Sequence, residues 1–159
     1  VPHIGSAAAA REVVAACRYR GGRGFSTSPR AGDYGRRGMW EHVDAADAAT
    51  LVIAMIEDLP AVAAIDEILA VEGLDAVFIG RADLMVSLGD RAQGGERTRE
   101  ATERAMAAAV RAGKPACLFV SRPGEIAPAQ DLGASMFVLS SDQGLLATAA
   151  SAAVREART

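Results

Sequence analysis

The run LVIAMIEDLPAVAAIDEILAVEGLDAVFI, residues 51–79, sets the terms for the fold. Its first six residues are apolar without a break, and Val52, Ile53 and Ile56 are β-branched. Such a run fits a strand buried on both faces, as in a parallel sheet. Asp58 then offers an N-cap, and Pro60 falls in the first turn, where its missing N–H costs little. Val62, Ile65, Ile68 and Leu69 recur at helical spacing, so this helix lays one face on the sheet. Gly73 ends it, and residues 75–79 (DAVFI) read as the next strand. Strand, helix and strand within about 30 residues form a βαβ unit, whose crossover makes the two strands parallel.

Parallel neighbours present their carboxyl ends at one edge of the sheet, where open sheets and barrels bind ligands. Glu57 follows the first strand and Asp83 follows the second, so the two acids are expected at one crevice. Two carboxylates beside water suit a hard divalent cation such as Mg²⁺ or Mn²⁺, which keeps other positions for water or substrate. Plainer roles stay open on spacing alone. Asp83 can cap the short helix after it. Glu57 can sit in the first turn of its own helix, where acids are favoured.

The rest of the chain repeats the rhythm. Residues 1–4 (VPHI) read as a strand remnant, with His3 near the same edge as a structural hydrogen-bonding group. Ser6 caps a helix over residues 7–18. Residues 20–44 form a long loop rich in Gly and Arg that matches no phosphate-binding fingerprint. Phe25, Tyr34, Met39 and Trp40 are its expected apolar anchors, or contacts to a neighbouring subunit, and His42 is structural. A short helix over residues 45–50 leads into the central run. A polar connection over residues 90–98 precedes an Ala-rich helix at 99–112, with Gly113 as its stop. Residues 115–120 and 136–140 are the remaining strands, with a short helix at 123–132 between them. A last helix spans 143–155, capped by Ser141 or Asp142. The count is five strand candidates. Ser121, Ser140, Ser141 and Asp142 fall at strand ends, with no His–Asp partner pattern to make a nucleophile. The one lysine, Lys114, precedes its strand at the wrong end for a Schiff base, which argues against lysine-dependent aldol chemistry.

Composition narrows the classes further. The net charge is −3, which disfavours general nucleic-acid binding. No apolar run reaches the roughly 18 residues of a membrane span. No signal peptide is visible, though the first residue is not Met. Cys17 and Cys117 read as buried small apolar residues of a reduced, cytoplasmic chain.

Residues 55–84, MIEDLPAVAAIDEILAVEGLDAVFIGRADL, resemble the HpcH/HpaI aldolase family over a long, gap-free stretch. CRYRGGRGFSTSPRAGDYG, residues 17–35, extends the likeness more loosely. The resemblance implies an α/β fold with parallel strands: about five βα units from the C-terminal portion of a (βα)8 TIM barrel, one incomplete domain over residues 1–159. It implies Glu57 and Asp83 as ligands of a divalent metal: Mg²⁺, Mn²⁺ or Co²⁺. The backbone around Gly80, Ala82 and Asp83 would receive the carboxylate of a pyruvate-like ligand. Met55 stands where many relatives have Gln, and Arg81 where many have Pro, so these two bear on the substrate. The family's proton-transfer His and oxyanion Arg belong to the first three units and match no position here, so the catalytic residues stay unassigned.

The implied reaction is class II aldol cleavage of a 4-hydroxy-2-oxo acid to pyruvate and an aldehyde, with the metal as Lewis acid. Alternatives are a CoA-thioester lyase of the citrate or malyl-CoA type, or a non-catalytic fragment that keeps only the metal site. The expected partners are a small 2-oxo acid and further copies of the chain, since an incomplete barrel exposes two sheet edges. Neither nucleic acid nor membrane is expected.

Overall fold

The computed structural model describes residues 1–92 and 94–158. Gln93, within the expected polar connection, lies outside the described residues. Four parallel strands form one sheet in the order β1 (Ile53–Ile56), β2 (Ala76–Ile79), β3 (Ala116–Val120), β4 (Met136–Leu139). Ile56 pairs with Ile79, Ile79 with Leu118, and Leu118 with Phe137. Each crossover runs through helices, as parallel pairing requires.

The expected fifth strand at residues 1–4 is not one. The segment runs beside β1, with Met55 N–H donating to Val1 O at 2.8 Å and Ile4 N–H to Met55 O at 3.4 Å. His3, however, has φ +55°, and this left-handed turn breaks the extended path.

Nor are the strands buried on both faces. Side-chain alternation puts Ala54, Ile56, Val77, Ile79, Ala116 and Leu118 on a covered face, each almost fully buried. Against it lie Ala7 and Ala10 of α1 (Ala7–Cys17) and Ile65, Ile68 and Leu69 of α4 (Ile65–Leu69), with Ala105, Met106 and Ala109 of α6 (Glu96–Arg111). The other face is mixed: Ala76 and Cys117 are buried, Ile53, Met55 and Phe78 half-buried, and Phe119 and Val138 exposed. The helices cover one side only, so β1 keeps Ile53 and Met55 half-buried on the second face, and this is where the both-faces expectation for residues 51–56 fails.

The helix expected after Asp58 is two short ones, α3 (Leu59–Ala63) and α4, broken at Ala64 (φ −95°, ψ 15°). Asp58 Oδ1 accepts from Ala61 N–H at 2.9 Å, as an N-cap should. The loop at 20–44 is shorter than expected. It holds two 3₁₀ turns, and α2 (Met39–Ala49) begins six residues before the expected start at 45. Asp47 of α2 takes the Tyr19 N–H at 2.7 Å, which also holds its carboxyl below the usual range. His42 is buried, its Nε2 3.0 Å from the Tyr19 hydroxyl. Of the four expected anchors, Phe25 packs edge-on against Tyr19 at 5.4 Å. Tyr34, Met39 and Trp40 stay exposed, and Met39 and Trp40 line a small cavity with Tyr19, Phe25 and Val43. Cys117 is buried in β3 and Cys17 is half-buried. Both are free thiols, and burial pushes the Cys117 thiol up.

Beyond β2 come α5 (Arg81–Leu88) and α6, and after β3 comes α7 (Ile126–Asp131). Ser141, not Asp142, caps α8 (Asp142–Glu156), which buries none of its residues. Among the described residues no helix is long and apolar enough to cross a membrane.

The amino-terminal edge of the sheet is tied by two cations. Arg18 donates to Asp47 O at 2.8 Å, to Thr50 O, and to Asp75 Oδ2 at 3.4 Å. Lys114 donates to Val71 O at 3.2 Å and to Leu74 O. The one ε-amine of the chain is thus spent on backbone carbonyls at the edge away from Glu57.

Candidate functional site

Register brings the sequence-singled residues to one edge. Ile56 pairs with Ile79, so Glu57 lies level with Gly80, each one residue past its strand. Glu57 does not enter a helix turn. It precedes the cap Asp58, and its carboxylate is turned inward, with the residue only 3% exposed. Oε1 accepts the His3 N–H at 2.7 Å, and the His3 Nδ1 lies 3.3 Å away. His3 is thereby a structural partner of Glu57, and its positive φ is what aims its N–H at the acid.

Oε2 faces Gly80. A Cβ there would lie 2.8 Å from Glu57 Cβ and 2.9 Å from Oε2, so only glycine leaves the space. Gly80 is also the N-cap of α5, and no side chain caps that helix. The N–H groups of its first turn, at Arg81, Ala82 and Asp83, are therefore left to an anion. Asp83 is not the cap. It sits in the first turn, exposed, with no hydrogen bond or ion pair among the described residues.

A cavity of about 790 Å³ opens along this edge. Met55, Gly80, Arg81, Ala82 and Asp83 line it, five of the six residues singled out by sequence. Glu57 lies behind Gly80 and does not line it. The rest of the lining comes from Ser121, already expected at a strand end on this edge, and from Glu125 and the α6 residues Thr98, Arg99, Thr102 and Glu103, which no sequence pattern pointed to. Only the tertiary fold carries helix residues 15–20 positions downstream of Asp83 back over the same strand ends. Asp90 fixes the α6 wall. Its Oδ2 accepts the Thr98 N–H at 2.8 Å and the Thr98 hydroxyl at 2.7 Å, and these bonds hold its carboxyl below the usual range.

Among the described residues, no three His, Cys, Asp or Glu side chains gather into a metal cluster. The donor set is the pair Glu57 and Asp83. Glu57 is held rigid from behind with one oxygen toward glycine, and Asp83 is unpartnered at the cavity. Both are hard carboxylate donors at one strand-end edge, and such a pair suits an ion that keeps positions for water and substrate.

A sequence model of the HpcH/HpaI aldolase/citrate lyase family matches residues 1–153. A hydroxypyruvate/pyruvate aldolase from Cupriavidus necator is 35% identical over 154 residues, 94% of this chain and 56% of that protein. An HpcH/HpaI aldolase/citrate lyase family protein from Burkholderia cenocepacia superposes with TM-score 0.93 at 27% identity, covering 99% of this chain and 63% of that one. An HpcH/HpaI aldolase from Desulfitobacterium hafniense superposes with TM-score 0.88 at 31% identity, covering 99% and 62%. The chain spans little more than half the length of the curated relatives it matches.

Proposed function

This chain belongs to the HpcH/HpaI aldolase/citrate lyase family, and on that premise we propose that it carries the metal- and pyruvate-binding part of a class II aldolase site. Its four parallel strands are part of the family's (βα)8 barrel architecture. The reaction is reversible cleavage of a 4-hydroxy-2-oxo acid to pyruvate and an aldehyde. One observation carries the reading: a buried, immobilised Glu57 level with Gly80, beside an unpartnered Asp83 at the cavity.

Glu57 and Asp83 would hold a divalent cation, Mg²⁺ or Mn²⁺, which supplies Lewis-acid stabilisation of the pyruvate enolate when bound. His3 orients Glu57 through its backbone N–H. The first-turn N–H groups of Arg81, Ala82 and Asp83 receive the pyruvate carboxylate at the positive end of α5. Met55 supplies an apolar wall to the 2-oxo acid. The proton-transfer base is not among the groups gathered here. The relatives named as pyruvate aldolases support this reading over the CoA-thioester alternative. The open sheet face, with Phe119 and Val138 exposed, supports assembly with further copies of the chain. Two free thiols fit a reducing, cytoplasmic setting.

The test is Mn²⁺-dependent binding of pyruvate, read as paramagnetic broadening of its methyl signal in proton NMR. Broadening by the parent and its loss in Glu57→Gln support the proposal. No broadening, or equal broadening in both, refutes it and favours a chain that retains the acids without the site.

A further inference from the structure

The charges lining the cavity pair off, with two exceptions. Arg99 Nη1 meets Glu103 Oε1 at 2.9 Å. Glu125 is taken by Arg122 Nε at 3.2 Å and by the Ser121 N–H at 3.0 Å. Asp83 is the metal ligand of the proposed function. Arg81 is the other exception, and it meets no carboxylate among the described residues.

Arg81 is not adrift. Its Nη2 donates to the Phe119 carbonyl at 2.7 Å, which reaches from the start of α5 across to the end of β3. A guanidinium carries five N–H donors, and this bond uses one. Its plane is thus tethered while the other donors stay available at the cavity. A tethered planar fork matches a carboxylate or phosphate better than it matches water or a neutral group.

Its position separates it from the pyruvate end. Glu57 follows β1, whereas the Arg81 fork is fixed to β3. Two strand spacings, about 10 Å, lie between these edges. An oxo acid bound at Glu57 and the first turn of α5 would extend its other half toward β3.

We propose that Arg81 is a specificity-determining residue that selects acceptor aldehydes bearing an anionic group, carboxylate or phosphate, distal to the carbonyl. This rests on the proposed aldolase reading. Arg81 takes no part in the bond made between pyruvate C3 and the aldehyde carbon; it positions the aldehyde half.

The experiment measures kcat/KM for aldol addition of pyruvate to matched acceptors. The pairs are 4-oxobutanoate against butanal, and glyceraldehyde 3-phosphate against glyceraldehyde. The carboxylate and phosphate arms report separately on the two anion types. Arg81→Gln is expected to lower the anionic-to-neutral ratio about tenfold in at least one arm, with Arg81→Lys recovering part of it. A merely structural role would lower both acceptors together and leave the ratio unchanged, which would overturn the proposal. If the parent binds no pyruvate, the aldolase reading fails on its own, and a parent that binds pyruvate without aldol turnover lacks only the proton-transfer base. Titration of the chain with succinate and with inorganic phosphate then decides: binding that Arg81→Gln weakens keeps the anion site, and binding indifferent to the substitution, or absent, overturns it.

Discussion

Alanine at Gly80 is the sharpest probe of how the two strand ends are fitted together. Gly80 has φ −82° and ψ 80°, a conformation with negative φ that alanine can adopt, so the substitution acts through its methyl group. That methyl would sit 2.8 Å from Glu57 Cβ and 2.9 Å from Oε2. Ordinary carbon contacts begin near about 3.5 Å, so Glu57 or the strand end must retreat by about 0.7 Å. Glu57 has little room to do so, because it is 3% exposed and held by the His3 N–H at 2.7 Å. Overpacking of this kind costs about 1–3 kcal/mol. Urea unfolding of Gly80→Ala should show that loss, and Mn²⁺ titration should show weakened affinity because Oε2 is displaced. Gly24→Ala is the control, since a Cβ there meets nothing within 4 Å. A Gly80→Ala protein as stable as the parent, with equal Mn²⁺ affinity, would refute the close fit.

Three further outcomes follow from the same geometry. Lys114→Ala strips the Val71 and Leu74 carbonyls of their donor and should cost about 1–3 kcal/mol in urea unfolding; no loss would deny the tie at that edge. Asp90 has its folded pKa lowered by the Thr98 bonds, so its contribution is present above the usual carboxylate range and lost as pH falls through the lowered value. The urea midpoint of Asp90→Asn should therefore trail the parent at pH 7 and converge on it at pH 3, and a gap that does not narrow would contradict this. Trp40 is 63% exposed, so Trp40→Ser should leave stability within about 0.5 kcal/mol. A loss above about 2 kcal/mol would place Trp40 in a buried contact.

The sequence was most informative where one residue type answers a local demand. Asp58 and Ser141 cap their helices as their chemistry suggests. The apolar runs became parallel strands, and Lys114 falls at the amino edge. Glu57 and Gly80 came level because the βαβ unit fixes direction and register together. What escaped depends on groups far apart in the chain. His3 turns left-handed to feed its N–H to an acid 54 residues away, and no local pattern encodes that. The α6 wall reaches the cavity only through tertiary packing. Met39 and Trp40 lie in a Gly- and Arg-rich stretch whose composition hid the start of α2. The open sheet face also escaped, because an apolar strand reads alike whether one side or both are covered.

The central claim is that Glu57 and Asp83 form one preorganised cation site. Mn²⁺ binding to the parent, Glu57→Gln and Asp83→Asn, read by the electron paramagnetic resonance of free Mn²⁺, addresses it directly. Asp83 is exposed and unpartnered, so Asp83→Asn should keep the parent's urea midpoint while losing Mn²⁺ affinity, and Glu57→Gln should lose affinity as well. A parent that binds no Mn²⁺, or an Asp83→Asn protein that binds as tightly as the parent, would contradict the account.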